Sequence, residues 1–126
     1  MKRVVPWWPW LLVFAGAGCG QLPPSTPAKP FTFESGRTPY AAAICIARNA
    51  KSLPNVTAEE RLLGDSAWEV IVRESTRSAD TLAVAEAHDR GTGSAVALRV
   101  TSSQPGDPIT FARRLMVDCQ ARMVGP

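Results

Sequence analysis

Three stretches of the chain alternate apolar and polar side chains with a period of two, the mark of half-buried strands. Over residues 68–75, Trp68, Val70 and Val72 share one side while Glu69, Ile71 and Arg73 share the other. Residues 82–88 and 94–101 repeat the alternation, with Val96, Leu98 and Val100 on one apolar side. The intervening 89–93 stretch carries Gly91 and Gly93, the glycine content of a hairpin loop. Residues 60–63 add a short strand, closed by a turn at Gly64, Asp65 and Ser66.

Two helix starts are equally local. Thr38 followed by Pro39, and Asp107 followed by Pro108, each supply an N-cap and a proline at the first helical position. The first helix is predicted over 39–52, closed by Leu53 and Pro54. Tyr40, Ile44 and Ala47 mark one face, and Ala41, Ala42 and Cys45 form a strip of small side chains beside it. The second is predicted to run from 108 to about 123, because Ile109, Ala112, Met116, Cys119 and Met123 recur at helical spacing.

These elements assemble most simply as an α+β domain over 31–126 in the order α-β-β-β-α. A small antiparallel sheet of three to four strands would carry two helices on one face. Phe31 to Phe33 would lie against it as a short extended segment. With the helices over the Trp68/Val70/Val72 and Val96/Leu98/Val100 side, the uncovered side is expected to show Ile71, Ala83, Ala85, Ala87, Ala95 and Ala97, bordered by Glu69, Arg73 and Arg99. Apolar surface rimmed by charge is a mark of interaction sites. Ile71, Arg73, Ala85, Ala97 and Arg99 are therefore the candidate partner face.

Ahead of the domain lies a different kind of segment. Lys2 and Arg3 precede an apolar run over 4–17, followed by small residues, in the order of an export signal. The run is roughly 14 residues, short of the ~20 needed to span a bilayer. Its end, Ala15-Gly16-Ala17-Gly18-Cys19, resembles the lipobox of bacterial lipoprotein precursors, with Gly16 where that family carries a large aliphatic residue. The resemblance covers only the first 19 residues. It implies that 1–18 is removed, that Cys19 receives a diacylglyceryl group and usually a further acyl chain such as palmitate, and that the mature protein is held in the cell envelope by lipid. Gly20, rather than Asp, after the cysteine implies the outer membrane, facing the periplasm. Ala15 and Ala17 also fit the A-x-A site of ordinary secretion, which would release the chain. Residues 19–30 are rich in proline and short polar side chains, a tether reaching up to roughly 30 Å if extended.

Export changes the reading of charge and of cysteine. Loss of Lys2 and Arg3 takes the basic count from 14 to 12 against 11 acidic residues, so the formal charge falls from +3 to +1. No basic stretch with interleaved aromatics remains, and no nucleic-acid partner is expected. With Cys19 assigned to lipid, Cys45 and Cys119 are left as an even pair in an oxidising compartment, and a disulfide is predicted between them. Two free buried thiols are the alternative. Neither cysteine has the close-spaced cysteine or histidine of a zinc site, so no metal and no cofactor are expected.

The chemistry on offer is thin. His88 has a general base's ordinary range, and Glu86 is a nearby acid, so a small hydrolase-like enzyme using His88 or neighbouring acids is the minor reading. Gly91, Gly93 and Ser94 precede a strand, not the helix a phosphate loop requires. Glu59 and Glu60 are adjacent and point apart, and Arg113 and Arg114 are expected on the outer side of the second helix. The leading expectation is a non-enzymatic binding or assembly module of the envelope, anchored through Cys19, whose partner is another envelope protein or a second copy.

Overall fold

The computed structural model describes residues 30–124. The export segment, Cys19 and residues 20–29 of the tether lie outside the described residues. In chain order the elements are β1 (Phe31–Ser35), α1 (Pro39–Lys51), β2 (Val56–Leu63), β3 (Ala67–Glu74), β4 (Thr81–Asp89), β5 (Ser94–Val100), α2 (Pro108–Leu115) and β6 (Ala121–Met123). All strand pairs are antiparallel, and the order across the sheet is β2-β3-β4-β5-β1-β6.

The sheet therefore has six strands where the hydrophobic pattern predicts three to four. Three differences account for this. Phe31–Ser35 is not an appendage but a full strand, seated between β5 and β6 with Phe33 opposite both Val96 and Met123. The short strand predicted at 60–63 begins four residues earlier, at Val56. The predicted second helix stops at Leu115, and the chain turns back to end as β6 instead of continuing helical to Met123.

Side-chain hydrogen bonds explain where the helices start and stop. Thr38 Oγ1 accepts from the Ala41 amide at 3.2 Å, and Asp107 Oδ2 accepts from the Thr110 amide at 3.1 Å, satisfying donors that a first turn leaves unpaired. At the far end of α2, Asn49 of α1 donates through Nδ2 to the carbonyls of Leu115 and Val117, both at 2.8 Å. Asp118 and Gln120 then take positive φ, which no helix permits. Cys119 thus lies in the turn after α2, and not on the helix. Its carbonyl accepts from Ser35 Oγ at 2.8 Å, and Gly36 N–H donates to Gln120 O at 2.9 Å, so the turn is stitched to β1. The disulfide Cys45–Cys119, Cα atoms 5.8 Å apart, ties it to α1.

Both helices stand over one face of the sheet and share one core. On the sheet it comprises Phe33, Val70, Val72, Val96, Leu98 and Val100, as the alternation predicts for β3 and β5, together with Ala83, Ala85 and Ala87 of β4. The buried stripe of α1 is Ala42, Ala43, Ile46, Ala47 and Ala50, so the face predicted through Tyr40 and Ile44 is corrected by about a third of a turn. Tyr40 is 53% exposed, and its ring packs tilted against that of Trp68, centroids 4.8 Å apart. Small side chains on α1 meet small side chains on β4, which lets helix and sheet approach closely. A β-bulge between β3 and β4 at Val72 and Arg73 brings Leu82 into the core beside Ala83.

Candidate interaction surface

Among the described residues, no helix covers the other face of the sheet. Antiparallel pairing sets side chains of the same face opposite one another, so the register defines its rows. One row runs Glu59, Ile71, Val84, Arg99. The next runs Arg61, Glu69, Glu86, Ala97, Thr32, and a third runs His88, Ala95, Glu34, Arg122. Ile71, Val84, Ala95 and Ala97 are half-buried in the middle, and the charges stand around them.

The charges are mostly paired. Arg73 Nη1 lies 2.8 Å from Glu59 Oε1, and Arg61 donates to Glu69 Oε1 through Nε at 2.8 Å and Nη2 at 2.7 Å. Glu34 meets Arg122 at 3.3 Å and Arg90 at 4.0 Å. Glu69 and Glu86 face each other directly, an unfavourable pairing that a partner for each carboxylate relieves. Arg61 serves Glu69, whose side chain is only 13% exposed, and His88 Nε2 lies 3.3 Å from Glu86 Oε1. Exposed pairs of this kind contribute about 0–1 kcal/mol each, so their weight lies in orienting side chains over the apolar centre more than in stability.

Of the predicted partner face, Ile71, Arg73, Ala97 and Arg99 do come together here. Ala85 does not. With Ala83 and Ala87 it lies on the helix side, 2% exposed, and Val84, Glu86 and His88 occupy the open side instead. Both parities of β4 are apolar near its start, so alternation there does not choose a face. The alanine content of α1 is the signal that does, since a helix with an alanine stripe seats best on small side chains. Thr32 and Glu34 join this face through the pairing of β1 with β5 and β6, which the local pattern of an extended arm does not reveal.

The remaining motifs find structural places. The loop at Gly91 and Gly93 is a hairpin turn, with the Gly91 amide donating to Asp89 Oδ1 at 2.8 Å. Gly93 has φ +142°, and a Cβ there would collide with the Ser35 carbonyl, so the glycine serves the close passage of β1. Glu59 and Glu60 point to opposite faces, Glu59 to Arg73 and Glu60 to Lys51 at 3.7 Å. Arg113 and Arg114 are exposed on α2. Arg114 borders a groove of about 260 Å³ with Leu53, Val56, Leu82 and Phe111. Among the described residues no group of three or more His, Cys, Asp or Glu side chains is placed to hold a metal ion, and no helix is long and apolar enough to cross a membrane.

No family model, curated protein or solved structure matches the chain. The geometry above and the amino-acid sequence therefore carry the functional argument by themselves.

Proposed function

We propose that the chain is a bacterial envelope lipoprotein, anchored through Cys19 in the outer membrane, that works by binding another envelope protein on the uncovered face of its sheet. One observation carries the binding part of this reading: among the described residues, a six-stranded sheet has one face without a helix, where Ile71, Val84 and Ala97 form an apolar centre framed by oriented charges. A docking partner would cover that centre and meet the frame with complementary charge. A photo-crosslinking side chain at Ala97, in intact envelopes, is expected to give a discrete adduct that Ile71→Glu and Arg99→Glu abolish. An unchanged adduct in both variants, or none at Ala97, overturns the assignment. Anchoring has its own measurement. The intact mass of the membrane-extracted protein should correspond to a chain beginning at Cys19 with acyl groups attached, and a chain beginning at Gly18 without acyl mass refutes it.

The contact between His88 and Glu86 at 3.3 Å gives the enzymatic alternative its one observation. If a hydrolytic activity is found, His88→Ala and Glu86→Gln must each reduce it, and activity retained in both removes that reading.

A further inference from the structure

The sheet has two edges. One is β6, of three residues, and the other is β2, of eight. Long uncovered edges present unpaired amides and carbonyls to other chains, and the chemistry of β2 determines which partner fits. Ser75 N–H donates to Asn55 O at 2.9 Å, just beyond the regular β2–β3 register. Alternation along an antiparallel ladder then turns the odd-numbered residues of β2 toward β3. The backbone groups of Val56, Ala58, Glu60 and Leu62 point outward and, among the described residues, have no strand beside them.

We infer that this edge takes the β2 strand of a second copy, antiparallel, about a two-fold axis at Glu60, joining two sheets into one. The order of charges selects that register. Centred on Glu60, Glu59 stands opposite the partner's Arg61 and Arg61 opposite the partner's Glu59, on the open face. These are the closely spaced positions of the new ladder, with Cα atoms about 4.5 Å apart. Charges of alternating sign then run from Arg73, which reaches diagonally to Glu59, through Glu59 and the partner's Arg61 to the partner's Glu69, because Arg73–Glu59 and Arg61–Glu69 are already ion pairs within each chain. A register centred on Glu59 sets that residue against its own copy, and one centred on Arg61 does the same for the arginine. On the helix side Leu62, 52% exposed here, comes opposite the partner's Ala58 and is covered. The one like-charge meeting, Glu60 with the partner's Glu60, has Lys51 3.7 Å from each carboxylate as counter-charge. Charges on an edge strand commonly block pairing. In this order they permit one self-complementary register and penalise its neighbours. The two-fold axis stands perpendicular to the sheet, so both open faces point the same way and stay free for the partner proposed above.

The test is a charge swap on the full chain in mild detergent, followed by sedimentation velocity. The wild type is expected to be a dimer, and Glu59→Arg and Arg61→Glu are each expected to weaken self-association at least about tenfold. Mixing the two variants should restore a dimer, since on one side of the axis Arg at position 59 then faces Glu at position 61, and on the other side the native Arg61 faces the native Glu59. Under mild oxidation Glu60→Cys should give a covalent dimer above the wild-type level. Arg61→Cys should not, because the two copies of position 61 lie diagonally apart, beyond the ~7 Å that a disulfide spans between Cα atoms. A monomeric wild type, a mixture that stays monomeric, or equal crosslinking at both positions overturns the proposal. The Ala97 adduct is read separately, so failure here leaves the open-face assignment to its own result.

Discussion

The disulfide offers the most quantitative test of how this fold is held. Cys45 and Cys119 are separated by 74 positions and join α1 to the turn between α2 and β6. Closing a loop of that length restricts the unfolded chain by roughly 4 kcal/mol in the chain-entropy model. Replacing both by alanine also removes two sulfurs from positions 4% and 0% exposed, which adds about 1–2 kcal/mol for lost contacts. A domain of this size has a total stability of about 5–14 kcal/mol, so the double variant Cys45→Ala/Cys119→Ala is expected to lose a large fraction of it. Urea titration followed by far-ultraviolet circular dichroism measures the loss. The slope of free energy against urea should rise with it, because the untied unfolded chain exposes more surface.

The two contributions separate cleanly. Reduced wild type keeps both sulfurs and so loses the tether without the cavity; about 3–4 kcal/mol of destabilisation is expected from reduction alone. If reduction costs less than about 1 kcal/mol while the alanine pair costs much more, the bond acts through packing and the loop argument fails. If neither costs more than about 1 kcal/mol, the turn at 117–120 is held by Asn49 and Ser35 without it.

Five further substitutions probe the assignments of face and turn. Ala85→Leu should destabilise by about 2 kcal/mol or more through overpacking beneath α1, whereas Ala97→Leu on the open face should stay within about 0.5 kcal/mol, as urea midpoints will show; equal effects would mean that the faces of β4 and β5 are misassigned. Asn49→Ala removes both 2.8 Å bonds that hold the end of α2 and should cost about 1–3 kcal/mol, with amide hydrogen exchange accelerated at residues 115–120. Gly93→Ala should lower thermal stability clearly, by about 1–3 kcal/mol, while Gly91→Ala, whose Cβ meets nothing within 4 Å, should pay only for its positive φ and fall less.

The parts of the fold legible in the amino-acid sequence are those decided within a few residues. Thr38 and Asp107 cap helices because the next residue is proline and the amides they serve lie three positions on. Trp68, Val70 and Val72 alternate with Glu69, Ile71 and Arg73, two of them charged, so the first set is the better face of β3 for the core. The misread elements are decided by residues far away. Ala112, Met116, Cys119 and Met123 keep helical spacing and are buried or half-buried, yet only Ala112 is helical, since Asn49 claims the carbonyls of Leu115 and Val117. β1 is short enough to pass for an extended arm. Its place is fixed by Phe33 between Val96 and Met123, a relation across 63 and 90 positions that no local window contains. On the open face, Ile71, Arg73, Ala97 and Arg99 are legible because β3 and β5 each have one more apolar side, and Ala85 is not because both sides of β4 are apolar through its first half, Leu82 to Ala85.

That ambiguity in β4 has an energetic consequence. A buried leucine contributes about 2 kcal/mol by removal from water, and a buried alanine well under half of that. Where α1 packs on β4, the buried side chains are largely alanines, Ala42, Ala43, Ala47 and Ala50 beside Ile46 on the helix and Ala83, Ala85 and Ala87 on the strand, so these alanines contribute less burial than Phe33, Leu98 and Leu115 do elsewhere in the core. The covalent tie from Cys45 and the two bonds from Asn49 leave α1 toward the end of α2. On the alanine side, β2 is held by its hairpin with β3, by the flank of α1 and by the exposed Lys51–Glu60 pair. Of the two sheet edges, β2 should therefore be the first to open in hydrogen exchange. It is also the edge that would gain most from pairing with a second copy, so slower exchange of the β2 amides with rising protein concentration should accompany self-association, with the amides of β6 unaffected.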